Sequence, residues 1–539
     1  MLRFSKLPKI ELSSYLLAIF LATYITVFLN DQLWYSLLKT QSSFSASVRW
    51  QFIWVTGIAL VAAQALIFLF LLWSRILKPI SLLILLSAIG ANYFANNYGV
   101  HFDSTMLRNI FATNFLEARE LMTSSLIIEY LIHLPLILFI TLFLKVREEN
   151  FKVTALKWIS SIAILSVVLV LSIFSQFKNI SSTVRNHKEL GHLIIPTSYL
   201  IASSKIAIGS GKLLTEEKKI IDDAIISEND KRKKKLVVLV IGETVRAQNW
   251  GLSGYERDTT PILKNKDVIN YPYAKTCGTN TEVSLPCMFS PYGRKNYDEK
   301  KIRTTESLLH VLNRNSVVTS WIDNQSGCKG VCDGLDYLQA RNIDNGDLCV
   351  KNGNCFDEIL VKALDKKIDL SLNQQLIALH PIGNHGPAYY SRYPKQFEKF
   401  TPACNTSDLE KCTNAEIVNA YDNAILYTDS VLSQMIDRLS KITDREVYFI
   451  YASDHGESLG ENNLFLHGLP YRIAPDFQTS APFFIWVGGK AKQIKSCATK
   501  SANTPISHDN LYHTVMSIFA VNSSTVEPNM NLIKGCRVD

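Results

Sequence analysis

Five apolar stretches in the first third of the chain constrain its fold more than any other feature: Leu12–Leu29, Phe52–Trp73, Ile80–Asn97, Ser125–Leu144 and Ala155–Phe174. Each is near the roughly 20 residues that a helix needs to cross a bilayer. They predict an α-helical, five-span membrane domain over residues 1–176. The third stretch is the most diluted, by Gly90, Asn92, Asn96 and Asn97. A cleaved signal peptide is the alternative for the first, but Asn30-Asp31-Gln32-Leu33-Trp34 after it holds no small-x-small cleavage site, and it reads as a permanent anchor. The chain of 539 residues is 47% hydrophobic with a mean hydropathy of +0.08. That is too apolar for a wholly soluble enzyme, and the excess sits in this third.

Loop charges set the orientation. Arg3, Lys6 and Lys9 precede the first span, Arg75 and Lys78 join the second to the third, and Lys145, Arg147 and Lys152 join the fourth to the fifth, so all three sets belong on the cytoplasmic side. Five spans then carry the rest of the chain outside. The cysteines agree independently: all ten lie between Cys277 and Cys536, an even count with short spacings that reads as a disulfide framework in an oxidising compartment. Lys+Arg 56 against Asp+Glu 48 gives a net charge of +8. This surplus suits work near anionic lipid and lacks the clustering of a nucleic-acid binder. The one dense basic run, Lys231-Arg-Lys-Lys-Lys235, directly precedes an apolar strand and reads as a solvated edge or a headgroup contact. The outer loop Tyr98–Thr123 carries His101, Asp103, Arg108, Glu117, Arg119 and Glu120, which either solvate the loop or meet a lipid headgroup at the membrane face. Glu129 and His133 share one helix face inside the fourth span, where the cost of burying charge points to the bundle interior.

Residues 177–231 turn polar and read as a bridging linker, with a short amphipathic stretch from Pro196 through Ala207 suited to the membrane surface. From 232 to 539 short apolar runs alternate with helix-length polar segments: Leu236–Ile241, Val317–Ile322, Leu376–Leu379, Val447–Tyr451 and Phe483–Val487. This pattern predicts an α/β domain with a mostly parallel sheet covered on both faces. Ligands of such sheets gather where strands end at their carboxyl edge.

The candidate chemistry lies at those ends. The first strand runs into Gly242-Glu243-Thr244, the third into His380-Pro-Ile-Gly-Asn-His385-Gly, the fourth into Ser453-Asp454-His455-Gly-Glu457, and His467-Gly follows in a loop. Carboxylates and imidazoles with a hydroxyl make an oxygen-and-nitrogen set suited to zinc, and less well to manganese. The hydroxyl is supplied by Cys277-Gly-Thr279-Asn-Thr281-Glu-Val-Ser-Leu-Pro-Cys287, a loop running into an apolar helix start, where free N–H groups and the helix dipole favour an anion. Taken alone, a threonine there reads as a helix N-cap between two cysteines.

The set Gly-Glu243-Thr, Cys277-Gly-Thr-x-Thr281, Ser284-x-Pro-Cys-Met-Phe-Ser290, Ser326-x-x-Lys329-Gly-Val, His385-Gly-Pro-x-Tyr-Tyr and Ser453-Asp-His-Gly-Glu-Ser-Leu-Gly-Glu461 resembles the phosphoethanolamine transferases of Gram-negative envelopes. The likeness spans the whole chain, with the motifs in family order. It implies a soluble domain of alkaline-phosphatase/sulfatase-like fold in the periplasm, a bacterial inner-membrane location, zinc as cofactor and a monomer. Thr281 is then the nucleophile that carries phosphoethanolamine covalently, and Glu243, Asp454 and His455 hold the zinc together with the Thr281 oxygen. By the same resemblance His385 and His467 serve catalysis and bind the phosphoethanolamine group or a second, weaker zinc. Thr279, Gln325, Ser326, Lys329 and Glu117 fall among the substrate-binding residues, while His380 is placed as in the family without a stated role. The donor implied is phosphatidylethanolamine and the acceptor lipid A or another envelope glycan. The pairing implied for the cysteines is Cys277–Cys287, Cys328–Cys332, Cys349–Cys355 and Cys404–Cys412, with Cys497 and Cys536 remaining. Sulfatase chemistry is disfavoured, because Cys287-Met-Phe-Ser-Pro is not the Cys-x-Pro-Ser-Arg sequence needed for formylglycine. The alternatives are a phosphoglycerol transferase or phosphodiesterase on the same scaffold and a non-catalytic envelope lipid-binding protein.

Overall fold

The computed structural model describes residues 9–42, 45–71, 77–147, 150–213, 218–343, 348–349, 354–502 and 504–536. They form two compact units, Met1–Leu107 with Met122–Ala207, and Arg108–Leu121 with Ile208–Asp539. The stretch 177–231 divides between the two, and most of the charged outer-loop segment belongs to the second. Trp73, Arg75, Arg3 and Lys6, which bound a span or set its orientation in the sequence, lie outside the described residues.

Among the described residues of the first unit, four helices are long and apolar enough to cross a membrane: Ala46–Phe70, Lys78–Tyr98, Ser124–Phe143 and Lys152–Ser175. A fifth candidate is the bent pair Ser14–Phe28 and Asp31–Thr40, which meet at 60°. Buried Asn30 holds the bend, since its amide donates to the Ile25 and Ile195 carbonyls at 2.9 Å each and its oxygen accepts from the Ile195 N–H. Strand β1 (Ile10–Leu12) precedes the bent pair and lies parallel to β2 (Leu144–Val146), which follows the Ser124–Phe143 span. The two strands therefore sit on one membrane face, which requires an even number of crossings between them. Three long helices intervene, so the bent pair supplies the fourth crossing and Lys152–Ser175 makes the fifth. Inside this bundle Glu129 Oε1 and His133 Nε2 stand 3.5 Å apart, with His133 Nδ1 2.7 Å from the Tyr24 hydroxyl.

The second unit is built on a sheet whose described strands are β3 (Lys235–Gly242), β4 (Ile269–Lys275), β5 (Val318–Asp323), β6 (Asp336–Gln339), β7 (Gln374–His380), β8 (Glu446–Ser453) and β9 (Ser480–Gly489), in the order β4-β9-β8-β3-β7-β5-β6. All run parallel except β9, which is antiparallel to both neighbours. The unbroken run Leu-Val-Val-Leu-Val-Ile makes β3 buried along its whole length, as a strand covered on both faces requires. Two edge strands escape the sequence reading. β4 carries Pro272 and half-exposed positions, and β6 is four residues long and half-exposed; only edges tolerate such strands. All ten cysteines pair, as Cys277–Cys287, Cys328–Cys332, Cys349–Cys355, Cys404–Cys412 and Cys497–Cys536.

Candidate functional site

The register of the central strands fixes the site. Gly242 of β3 pairs with Ser453 of β8, so Glu243 and Asp454, the next residue of each chain, emerge side by side at the carboxyl edge. Glu243 is followed by Thr244, a β-branched residue at φ 59°, a conformation that costs energy and marks functional turns. The strain is held by contacts: the Thr244 N–H donates to Asp454 Oδ1 at 3.1 Å and its hydroxyl to Glu243 Oε1. Gly383 closes the loop after β7 over Glu243. It has φ +54°, and a Cβ there would stand 2.6 Å from the Glu243 carbonyl oxygen, so only glycine fits.

The third wall is helix α1 (Thr281–Met288). Asn280, not a threonine, caps it, accepting from the Val283 N–H at 3.0 Å. Thr281 at the first helical position is thus relieved of capping, and its hydroxyl lies 3.1 Å from Glu243 Oε2, 3.3 Å from Glu243 Oε1 and 3.4 Å from His455 Nε2. The His455 Nδ1–H donates to the Gly456 carbonyl at 2.9 Å, which turns Nε2 toward the carboxylates, 3.4 Å from Glu243 Oε1 and 3.3 Å from Asp454 Oδ2. Glu243, Thr281, Asp454 and His455 therefore converge, all buried.

Their electrostatics are unbalanced in one direction. Burial works against the Glu243 carboxylate, yet the neighbouring His380 and His455 imidazoles hold it well below its usual value. Burial and the neighbouring Glu243 charge push the Asp454 carboxyl up, and Asp454 Oδ2 is buried without any hydrogen-bond donor. Such an orphaned oxygen is costly. A metal ion satisfies it, and Glu243, Asp454 and His455 each offer one ligand atom within a 4.8 Å cluster. His455, although buried, is raised to about 9 by Asp454 and Glu243, again the signature of anionic oxygens short of a cation. The donors fit a four-ligand ion with an exchangeable hydroxyl.

A second group shares His455. Glu457, His455 and His467 also lie within metal-holding distance. Here, however, the anion is already partnered: Glu457 Oε2 accepts from His467 Nδ1 at 2.7 Å and Glu457 Oε1 from the Tyr389 hydroxyl at 2.6 Å. His385 stands beside His467, ring centroids 5.7 Å apart, and its Nε2 is 3.1 Å from Glu117 Oε1. Burial opposes the charge on His385, but Glu117 raises it to about 9. Glu117 and Glu120 lie on the short helix Phe115–Glu120, and Glu120 pairs with Arg392, whose Nε donates to the His385 carbonyl at 2.6 Å. Glu117 and Glu120 are thus each paired with a cationic side chain of the second unit.

Other expected site residues are tied in as follows. The Gln325 amide donates to Glu243 Oε2 at 3.0 Å. Lys329 Nζ donates to Ser326 Oγ at 2.9 Å, and Lys329 adopts φ 52°. Thr279, expected to hold a headgroup, donates its hydroxyl to the Leu469 carbonyl at 2.7 Å and so ties the Thr281 loop to the His467 loop. His380 Nδ1 meets Asp323 Oδ1 at 3.0 Å and its Nε2 lies 3.6 Å from Glu243 Oε2, which makes it a buried prop for that carboxylate. Glu457, Asp323 and His508 join the site without having been among the residues expected there. Glu457 carried a signal, since it lies in the same motif as Asp454 and His455. Buried His508 accepts from the Cys277 N–H at 3.0 Å; it lies 231 residues away and no spacing announced it.

A mostly parallel sheet with this cluster on its carboxyl edge is a sulfatase-type domain, and the Sulfatase family matches residues 235–521. The family "Phosphoethanolamine transferase EptA/EptB" matches residues 60–209. Phosphoethanolamine transferase EptA of Escherichia coli strain K12 is 34% identical over 483 residues, 85% of this chain and 86% of that protein. Phosphatidylethanolamine transferase Mcr-1 of Escherichia coli is 33% identical over 496 residues, 90% and 91% of the two chains. The solved structure of integral membrane lipooligosaccharide phosphoethanolamine transferase A from Neisseria meningitidis is similar with a TM-score of 0.91 at 32% identity, over 99% of this chain and 100% of that one. The chain belongs to the phosphoethanolamine transferase family. Its N-terminal helices accordingly reside in the inner membrane and its sulfatase-like domain in the periplasm.

Proposed function

We propose that this protein transfers phosphoethanolamine from phosphatidylethanolamine to lipid A, or to another envelope glycan, through a phosphoethanolamine-threonine intermediate on Thr281. The observation that carries this reading is the Thr281 hydroxyl, free of capping duty and 3.1 Å from Glu243, inside a buried ligand set with one orphaned carboxylate oxygen. Glu243, Thr281, Asp454 and His455 would hold zinc. When bound, zinc lowers the pKa of the threonine hydroxyl toward neutrality and offsets phosphoryl charge.

The remaining work falls to side chains. The Thr281 oxygen attacks phosphorus, the bond to the diacylglycerol oxygen breaks, and His385 or His467 delivers the proton that this oxygen needs. Lys329, with Ser326, offsets the equatorial oxygens. Glu117, an anion within reach of His385, suits the ammonium end of the headgroup. In the second half an acceptor oxygen gives its proton to the same imidazole pair and attacks the phosphothreonine, freeing Thr281. Transfer to a surface phosphomonoester makes a diester that carries an ammonium and so lowers negative charge, the basis of polymyxin resistance, whereas on a sugar hydroxyl the group adds as a zwitterion. Fluorescent phosphatidylethanolamine supplied to the purified protein with zinc and lipid A should yield fluorescent diacylglycerol in step with modified lipid A. Modified acceptor without diacylglycerol would rule out this donor.

A further inference from the structure

Along the flank of α1 the second unit holds a cavity of about 440 Å³ whose wall includes Arg108, Lys218, Arg303 and Lys329. Its local chemistry begins with Pro286 in the middle of α1. Proline has no N–H, so the Glu282 carbonyl one turn back loses its helical donor. Arg303 supplies a replacement, donating to that carbonyl at 3.0 Å and to Glu282 Oε1 at 2.7 Å. Glu299 takes Arg303 Nε and Arg108. Neither glutamate lines the cavity; both hold guanidinium groups in its wall. Lys218 Nζ is fixed by the Gly330 carbonyl at 2.7 Å, and the carboxylate of Asp333, the acid among the lining residues, stands 3.8 Å from it. Four cations thus stand against three acids, of which well-solvated Asp333 lines the cavity itself while Glu282 and Glu299 hold the two guanidinium groups from behind.

The cavity is continuous in charge with the reaction centre. Lys329 lines it and also acts on Glu117, the partner of His385. At about 1.5 Å per helical residue, Pro286 lies roughly 7.5 Å along α1 from Thr281. An anion bound there is too far to attack phosphorus and near enough to belong to the attacking molecule.

We infer that this cavity anchors a phosphomonoester of the acceptor glycolipid other than the one attacked, so that the enzyme prefers acceptors carrying two phosphates. The inference rests on the proposed transfer. It deepens that reading by naming the feature of the acceptor that is recognised.

The test uses the full chain with zinc and separates the two halves of the reaction. Lys218→Gln and Arg108→Gln should release diacylglycerol from phosphatidylethanolamine at the unaltered rate. With a disaccharide glycolipid bearing two phosphates, the KM should rise about tenfold, the loss of one charge-assisted contact. With the glycolipid bearing one phosphate it should not change, and Lys218→Arg should restore the preference. No preference in the unaltered protein, or an equal KM shift for both acceptors, overturns the inference. So does inhibition by inorganic phosphate that weakens in Lys218→Gln while acceptor preference stays, which marks a free-phosphate site. Failure of diacylglycerol release in the unaltered protein would count against the donor reading instead.

Discussion

Around Glu243, Asp454 and His455 every carboxylate and ring is fully buried and Asp454 Oδ2 has no donor, whereas around His385 and His467 each imidazole meets its own carboxylate, Glu117 and Glu457. The two regions adjoin, His455 and His467 having ring centroids 4.3 Å apart, yet they solve the same problem of burying charge in opposite ways. The first leaves an anionic excess that a cation offsets. The second balances itself with protons that it can move. A transfer enzyme needs both: a fixed positive charge to generate a nucleophile, and titratable groups to serve the leaving and entering oxygens.

Changes confined to one region should therefore fail in different ways. Thr281→Ala removes the proposed nucleophile, and phosphatidylethanolamine turnover should fall roughly 10⁴-fold or more, measured as diacylglycerol release with bound zinc retained at the other ligands. Asp454→Asn should weaken metal affinity by more than about a hundredfold, read as zinc per protein after dialysis, with activity lost in proportion; full zinc occupancy would remove Asp454 from the ligand set. Glu457→Gln leaves the ion in place but frees the His467 tautomer, so kcat should drop about tenfold to a hundredfold at unchanged zinc content. If zinc is lost as well, the two regions are one site.

The smallest effect concerns Glu117. His385 has its proton affinity raised, so the ion pair with Glu117 is fully present below the ordinary histidine value and is lost as pH rises through about 9. Glu117→Gln should move the basic limb of the kcat profile down by about one pH unit. An unmoved limb would separate His385 from the proton transfer.

These regions also differ in how far the sequence reveals them. Glu243, Asp454 and His455 follow directly on buried strands, and β3 and β8 declare themselves by unbroken apolar runs, so their place at the carboxyl edge is legible from local pattern alone. Thr281 was legible as a residue but not in its freedom, because that depends on Asn280 taking the cap. What pattern does not reveal is pairing across the chain. Glu117 reaches His385 over 268 residues of separation, and nothing local to the outer loop names that partner. The edge strands β4 and β6 were hidden for the complementary reason, that half-exposed strands with polar residues or proline lose the apolar signal.

The central claim is that Thr281 carries the phosphoethanolamine group, and the most direct measurement is tandem mass spectrometry of the purified protein held with phosphatidylethanolamine and zinc in the absence of acceptor. The account predicts a phosphoethanolamine increment on the peptide spanning Cys277–Cys287, localised to Thr281 and discharged when lipid A is added. Diacylglycerol release with no increment on Thr281, or with the increment on another residue, would contradict it.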